Sequence, residues 1–306
     1  MPARAARPRG ALRLAPPALQ LVGRLPGALR RPLGRTIGLA VDLLGLRPAR
    51  TTDVNLALAD PRRPVRHRRA LARRSLAEDG ILALDCAAVW TGSVDARLQR
   101  VDPGPGVEAL GSARAAGRGL LLLAPHLGNW ELLNLWLQAR LGTAERPFTA
   151  LYRPLRDPGL DAWLHDRRSR SGARLLPSDR AGLRGIARTL AAGGVVGVLP
   201  DQVPPRDAGV PAPFLGREAL TTTLVRSLVR RHAPAVLAVA ALRRGDRHEV
   251  HCLKAAADLG AADRRRAAAA LNRTVEACIA RAPAQYQWSY ERFKQAGSGN
   301  RYARRR

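Results

Sequence analysis

The chain has 306 residues, of which 46% are of the AVILMFWYC class and 25% are charged, proportions that exclude wholesale disorder. Its 52 Lys+Arg outnumber 24 Asp+Glu to give a formal net charge of +28, and only two of the 52, Lys254 and Lys294, are lysines. Such a chain adheres to phosphate-rich or acidic surfaces: nucleic acid, anionic lipid or an acidic protein. Cys86, Cys252 and Cys278 lie far apart with no CxxC pair, so neither a zinc site nor a disulfide framework is expected, and a reducing compartment is the simplest reading.

Residues 1–16 read as a disordered basic tail, with no following apolar stretch long enough for a cleaved signal. Residues 17–46 form an amphipathic segment. On a helical wheel Leu29, Leu33 and Ile37 share one face, with Arg24, Arg31 and Arg35 roughly opposite. Pro26 and Pro32 interrupt it, and Pro32 is suited to open a second helix at its first turn. Leucines opposite arginines suit a segment lying in a bilayer interface as well as one packed on its own domain. No run of 18 uncharged apolar residues occurs, which argues against a standard membrane-spanning helix.

Residues 64–90 read as a helix with Leu71, Leu76, Ile81 and Leu84 as candidate buried positions, and 107–116 as a shorter one. The run Gly119-Leu-Leu-Leu-Leu-Ala124 fits a strand buried on both faces. A turn at 125–128 and a helix over 129–141 follow. Further strands are expected at 148–152, 195–199, 235–242 and 247–254, with helices at 158–171, 180–192, 219–232 and 261–282. Strands alternating with helices predict an α/β layered domain, with a mostly parallel central sheet flanked by helices, over residues 47–296. Residues 297–306 form a basic C-terminal tail.

The segment Ala124-Pro-His126-Leu-Gly-Asn-Trp-Glu131 carries the chemistry. Open α/β sheets collect their sites at the carboxyl ends of strands, where His126 is predicted to sit. Glu131 follows five residues on, an offset of about 140° in a regular helix. The two side chains therefore meet only if the chain bends between them, which Gly128 permits. A carboxylate on one imidazole nitrogen would leave the other free to take a proton from a hydroxyl. Equally, a loop histidine could stand beside a glutamate that merely favours the helix dipole. Arg153 and Arg168 lie on the second βα segment, and their guanidinium groups suit phosphate or a developing oxyanion. Asp201 follows the buried strand at 195–199, where it could bond Arg168 or order its loop, and Gln202 is beside it.

The His126-x4-Glu131 pattern resembles the HX4(D/E) motif of the lysophospholipid-acyltransferase-like superfamily. The chain as a whole resembles the bacterial lipid A late acyltransferases. The resemblance rests on His126-Leu-Gly-Asn-Trp-Glu131, Tyr152-Arg153-Pro154, Arg168-Ser-Arg-Ser-Gly172, Leu199-Pro200-Asp201-Gln202, Pro213-Phe214-Leu215-Gly216, Thr221-Thr-Thr223 and Gln285-Tyr286-Gln287-Trp288. It implies transfer of a fatty acyl chain from an acyl-carrier-protein thioester, or an acyl-CoA in its place, without a cofactor or metal. The acceptor it implies is a hydroxyl of a lipid A precursor. His126 would be the base and Glu131 its orienting partner, while the family's functional arginine and aspartate fall on Arg168 and Asp201. Arg153 and Gln202 complete the expected substrate-binding set. The implied partners are the acyl carrier protein, the precursor lipid and the anionic inner leaflet, at the cytoplasmic face of the cell inner membrane. Another lipid acceptor (a lysophospholipid, an aminolipid or a glycolipid) is the alternative. Nucleic-acid binding rests on charge alone, since aromatics are only 4% and offer few stacking platforms.

Overall fold

A computed structural model describes residues 15–294 and Tyr302. The expected tails at 1–16 and 297–306 therefore lie almost wholly outside the described residues. The helices are α1 (Ala15–Arg24), α2 (Gly27–Leu43), α3 (Arg47–Ala59), α4 (Val65–Thr91), α5 (Val94–Leu98), α6 (Glu108–Ala115), α7 (Trp130–Leu141), α8 (Pro158–Ser169), α9 (Arg180–Ala191), α10 (Leu224–His232) and α11 (Arg264–Ile279). The strands are β1 (Val101–Pro103), β2 (Leu120–Leu123), β3 (Thr149–Tyr152), β4 (Arg174–Pro177), β5 (Val195–Val198), β6 (Gly209–Phe214), β7 (Arg217–Thr222), β8 (Ala235–Arg244) and β9 (Arg247–Lys254).

Seven strands form one sheet in the order β1-β9-β8-β2-β5-β3-β4. Strands β8, β2, β5, β3 and β4 run parallel to one another, while β9 returns antiparallel to β8 by a tight turn. Both faces of the sheet are covered, which is why its central strands read as unbroken apolar runs. Alternate residues of β2 divide between two cores. Leu121 and Leu123 pack with residues of α9, α10 and α11, whereas Leu120 and Leu122 pack with those of α4, α6 and α7. The result is a three-layer α/β/α sandwich.

The expected helix at 219–232 is corrected. Residues 217–222 pair with β6 in a separate antiparallel ribbon, and helix begins only at Leu224. Leu215 (φ 49°) and Gly216 (φ 72°) both adopt the left-handed conformation that a two-residue hairpin requires. The β-branched Thr221 and Thr222 then suit the strand better than a helix start.

The N-terminal segment breaks at Pro26 and not at Pro32, which lies inside α2. α2 packs closely on α4: a Cβ added to Gly80 would lie 2.1 Å from the Gly34 carbonyl oxygen. The face turned inward carries Arg30, Gly34 and Gly38, so Leu29, Leu33 and Ile37 stand 62%, 45% and 43% exposed. Among the described residues, no helix is long and apolar enough to cross a membrane.

Candidate active site

Strands β2 and β5 are parallel neighbours with Leu123 opposite Val198. His126 and Asp201 each follow their strand end by three residues. Equal offsets from paired positions bring the two side chains side by side at the carboxyl edge of the sheet, where open α/β folds hold their chemistry. The His126 Nδ1 lies 2.8 Å from Asp201 Oδ1, and the His126 backbone N–H donates to Oδ2 at 3.0 Å. Asp201 is 4% exposed. Burial alone would raise its pKa, but the adjacent His126 and its two hydrogen bonds hold the carboxyl below its ordinary value.

An ionised carboxylate only accepts hydrogen bonds, so Nδ1 carries the imidazole proton and Nε2 presents a lone pair. That lone pair faces Gln202, whose Nε2 is 3.1 Å away and donates to it. The edge of Trp130 closes a third side, with ring centroids 4.9 Å apart.

The loop that carries His126 is clasped from two directions. Gly128 N–H donates to the Gln285 carbonyl at 3.0 Å, and Gln287 N–H donates to the His126 carbonyl at 3.0 Å. Asn129 N–H donates to the Ala241 carbonyl at 2.8 Å. Gly128 is required here: its φ is +63°, and an added Cβ would sit 2.1 Å from the Ala241 carbonyl oxygen. Tyr286 is buried in the same clasp, and burial with the neighbouring Asp201 charge pushes its phenol well above the usual range. The motif segment 285–288 contained Tyr286, but nothing in its spacing tied it to a residue 85 positions away.

Glu131 is not the partner of His126. The chain does bend at Gly128, but helix α7 starts immediately after it. Asn129 caps that helix, its Oδ1 accepting from Leu132 N–H at 2.9 Å. Glu131 thus sits in the first turn, 5% exposed, and receives Arg168. The Arg168 Nε lies 3.0 Å and 2.9 Å from the two carboxylate oxygens, and its Nη2 bonds Oε1 as well. Burial depresses the Arg168 pKa, but the Glu131 charge and hydrogen bonds, with smaller contributions from Cys86 and Asp161, together reverse this and raise it. The pair clamps the end of α8 to the start of α7, and Trp90 stacks on the guanidinium at 5.9 Å. Arg153 stands exposed in the loop after β3, a strand that β5 separates from β2. Of the six expected site residues, His126, Asp201 and Gln202 are therefore in mutual contact. Glu131 and Arg168 form an adjacent pair, and Arg153 is apart.

The model of the bacterial lipid A biosynthesis acyltransferase family matches residues 13–295. The lipid A biosynthesis lauroyltransferase of Escherichia coli (strain K12) is 30% identical over 285 residues, covering 92% of this chain and 90% of the relative. The lipid A biosynthesis palmitoleoyltransferase of the same organism is 28% identical over 282 residues, 91% of this chain and 85% of its own length. A phosphatidylinositol mannoside acyltransferase of Mycobacterium tuberculosis matches a shorter stretch, 38% identical over 72 residues, which is 24% of this chain and 22% of that protein. With a match running through the whole sheet and its loops, the chain belongs to the bacterial lipid A biosynthesis acyltransferase family.

Proposed function

We propose that this acyltransferase moves a fatty acyl chain from an acyl-carrier-protein thioester to a hydroxyl of a lipid A precursor, with His126 as general base. The observation that carries the reading is the 2.8 Å contact of His126 Nδ1 with the buried Asp201 carboxylate, which favours the neutral tautomer that leaves Nε2 as the base. The acceptor hydroxyl replaces the Gln202 amide at Nε2 and gives up its proton as the oxygen attacks the thioester carbonyl. The tetrahedral intermediate collapses with C–S cleavage, and the imidazolium returns the proton to the departing thiolate. Asp201 stabilises that imidazolium throughout, the role this proposal moves to it from Glu131. Glu131 and Arg168 act as positioning residues, keeping α7 and α8 in register around the His126 loop. Arg153, exposed at the same edge, is suited to a phosphate of the lipid.

The acceptor is a membrane lipid and the donor arrives from water, so the site works at the cytoplasmic face of the inner membrane. The outward leucines of α2 support attachment at the interface. The test is mass spectrometry of membrane lipids with and without the gene, alongside purified His126→Ala. The expected result is loss of one secondary acyl chain from lipid A and a ~10²–10⁴-fold drop in transfer by a folded variant. Full turnover by folded His126→Ala would overturn the mechanism. A second acceptor class is favoured by the stretch shared with the phosphatidylinositol mannoside acyltransferase. An acyl chain missing from a phospholipid or glycolipid, with lipid A intact, would select that class.

A further inference from the structure

Beside the sheet edge, but outside the His126 site, a cavity of about 560 Å³ is lined by six arginines: Arg24, Arg30, Arg31, Arg97, Arg100 and Arg167. It lies where the α1–α2 break meets the end of α4, α5 and α8, and no acidic side chain among the described residues lines it. Of the carboxylates around it, Asp85 is taken by Arg30 at 2.9 Å and stands 4.0 Å from Arg31 Nε, beyond hydrogen-bond reach, while Asp246 and Asp166 stand exposed against Arg100 and Arg167. Among the described residues, the buried Nε atoms of Arg31, Arg97 and Arg167 have no hydrogen-bond acceptor. Burial and the Arg30 cation, with smaller pushes from Arg100 and Arg170, outweigh the pull of Asp85 and take the Arg97 guanidinium below its ordinary value. Holding these cations together is costly, and leaving their N–H groups unmatched adds to the cost.

One kind of ligand offsets both costs. A phosphomonoester brings up to two negative charges and three acceptor oxygens, and guanidinium forks match it in geometry. A carboxylate would bring one charge and fewer acceptor sites.

We propose that this arginine-lined cavity is a phosphate-binding subsite, distinct from the His126 centre, that takes the phosphomonoester group of a lipid headgroup. The helices that line it also hold Leu21 and Leu29, 68% and 62% exposed, so a lipid with its chains along those leucines has its headgroup beside the arginines. The subsite shares α8 with the Glu131–Arg168 pair: Arg167 lines the cavity and the next residue, Arg168, holds Glu131. The choice of a lipid as the phosphate's carrier rests on the acyltransferase reading; the phosphate subsite does not.

The test measures binding, so it is independent of acyl transfer. Inorganic phosphate is titrated calorimetrically into the full chain, then repeated with phosphatidylcholine vesicles holding about 20 mol% phosphatidic acid. Arg24→Ala/Arg100→Ala removes two exposed cavity arginines with little risk to folding, and Arg97→Ala serves as a second variant. Arg180→Ala/Arg184→Ala on α9 removes the same charge elsewhere. Removing each charge-assisted hydrogen bond should weaken phosphate binding by about ten-fold or more, while the α9 variant binds as the parent does. Displacement of phosphate by the phosphatidic acid vesicles identifies a lipid headgroup as the source. Phosphate binding that the vesicles leave untouched overturns the lipid assignment and points to a soluble phosphate ester. Equal weakening in the cavity and α9 variants, or no phosphate binding by the parent, would overturn the subsite.

Discussion

Replacing Asp201 by Asn tests the centre of the proposed mechanism, because the two side chains differ in what they can accept. Asp201 receives both the His126 Nδ1–H and the His126 backbone N–H. Asparagine has one oxygen for the two donors. If that oxygen takes Nδ1–H, its NH2 faces the backbone N–H and a buried bond is broken, at about 1–3 kcal/mol. If it takes the backbone N–H, its NH2 donates to Nδ1, and the imidazole proton moves to Nε2. Gln202 can then present its carbonyl to Nε2, and every group is satisfied. The second arrangement wins by about 2 kcal/mol on that accounting, and it is inactive as a base. The imidazolium also loses its counter-charge, worth about 4 kcal/mol at ~4 Å and an effective dielectric constant of ~20. Together these give about 6 kcal/mol, or a ~10⁴-fold loss of kcat at 1.36 kcal/mol per decade. That is comparable with the ~10⁴ for the analogous exchange in a Ser-His-Asp triad. The assay is acyl transfer by purified protein at saturating donor and acceptor, with circular dichroism to establish that the variant is folded. A folded Asp201→Asn retaining kcat within ten-fold of the parent would refute the assignment.

Glu131→Gln leaves Arg168 without its counter-charge and should cost about 3 kcal/mol in denaturant unfolding; unlike Asp201→Asn, it should leave the pH dependence of kcat unchanged. Gly128→Ala forces a Cβ to 2.1 Å from the Ala241 oxygen at a positive φ, so the loop must shift, and kcat should fall at unchanged circular dichroism. Two buried groups set opposed pH slopes. Burial and the Arg243, Arg31 and Arg30 cations push His248 down to about 3, so between there and its unfolded value the unfolded chain binds more protons and stability rises with pH. Burial raises Asp79 to about 6 against the Ser289 hydrogen bond, so from about 4 to 6 the folded chain binds more protons and stability falls with pH. Each slope is at most about 1.4 kcal/mol per pH unit, and the two nearly cancel over pH 4 to 6. In denaturant unfolding at pH 4, 5 and 6, Asp79→Asn should therefore gain stability with pH and His248→Gln should lose it. Parallel profiles for the two variants would contradict this account. The depressed carboxyl of Asp201 adds an acid-side loss below the ordinary aspartate range, as pH falls through its folded value.

The amino-acid sequence alone determined the local elements around the site. Four leucines in succession can be a strand only if both faces are covered, and β2 is such a strand. The 3.6-residue periodicity likewise marked α4, where Leu76 and Ile81 are buried and Leu71 and Leu84 half-buried. The α/β layering followed from the alternation of such elements. His126 at a strand end was legible for the same reason, since local hydrophobic pattern fixes where a strand stops.

Only the tertiary structure decided which acid serves His126. Glu131 is five residues away and Asp201 seventy-five, yet the parallel register of β2 with β5 overrides the short separation. Register depends on how α7, α8 and α9 carry the chain across the sheet and back, which no window of sequence contains. The arginine cavity has the same origin. Its cations come from α1, α2, α5 and α8 and from the residue before β1, and each reads singly as an ordinary surface arginine until packing confines them together.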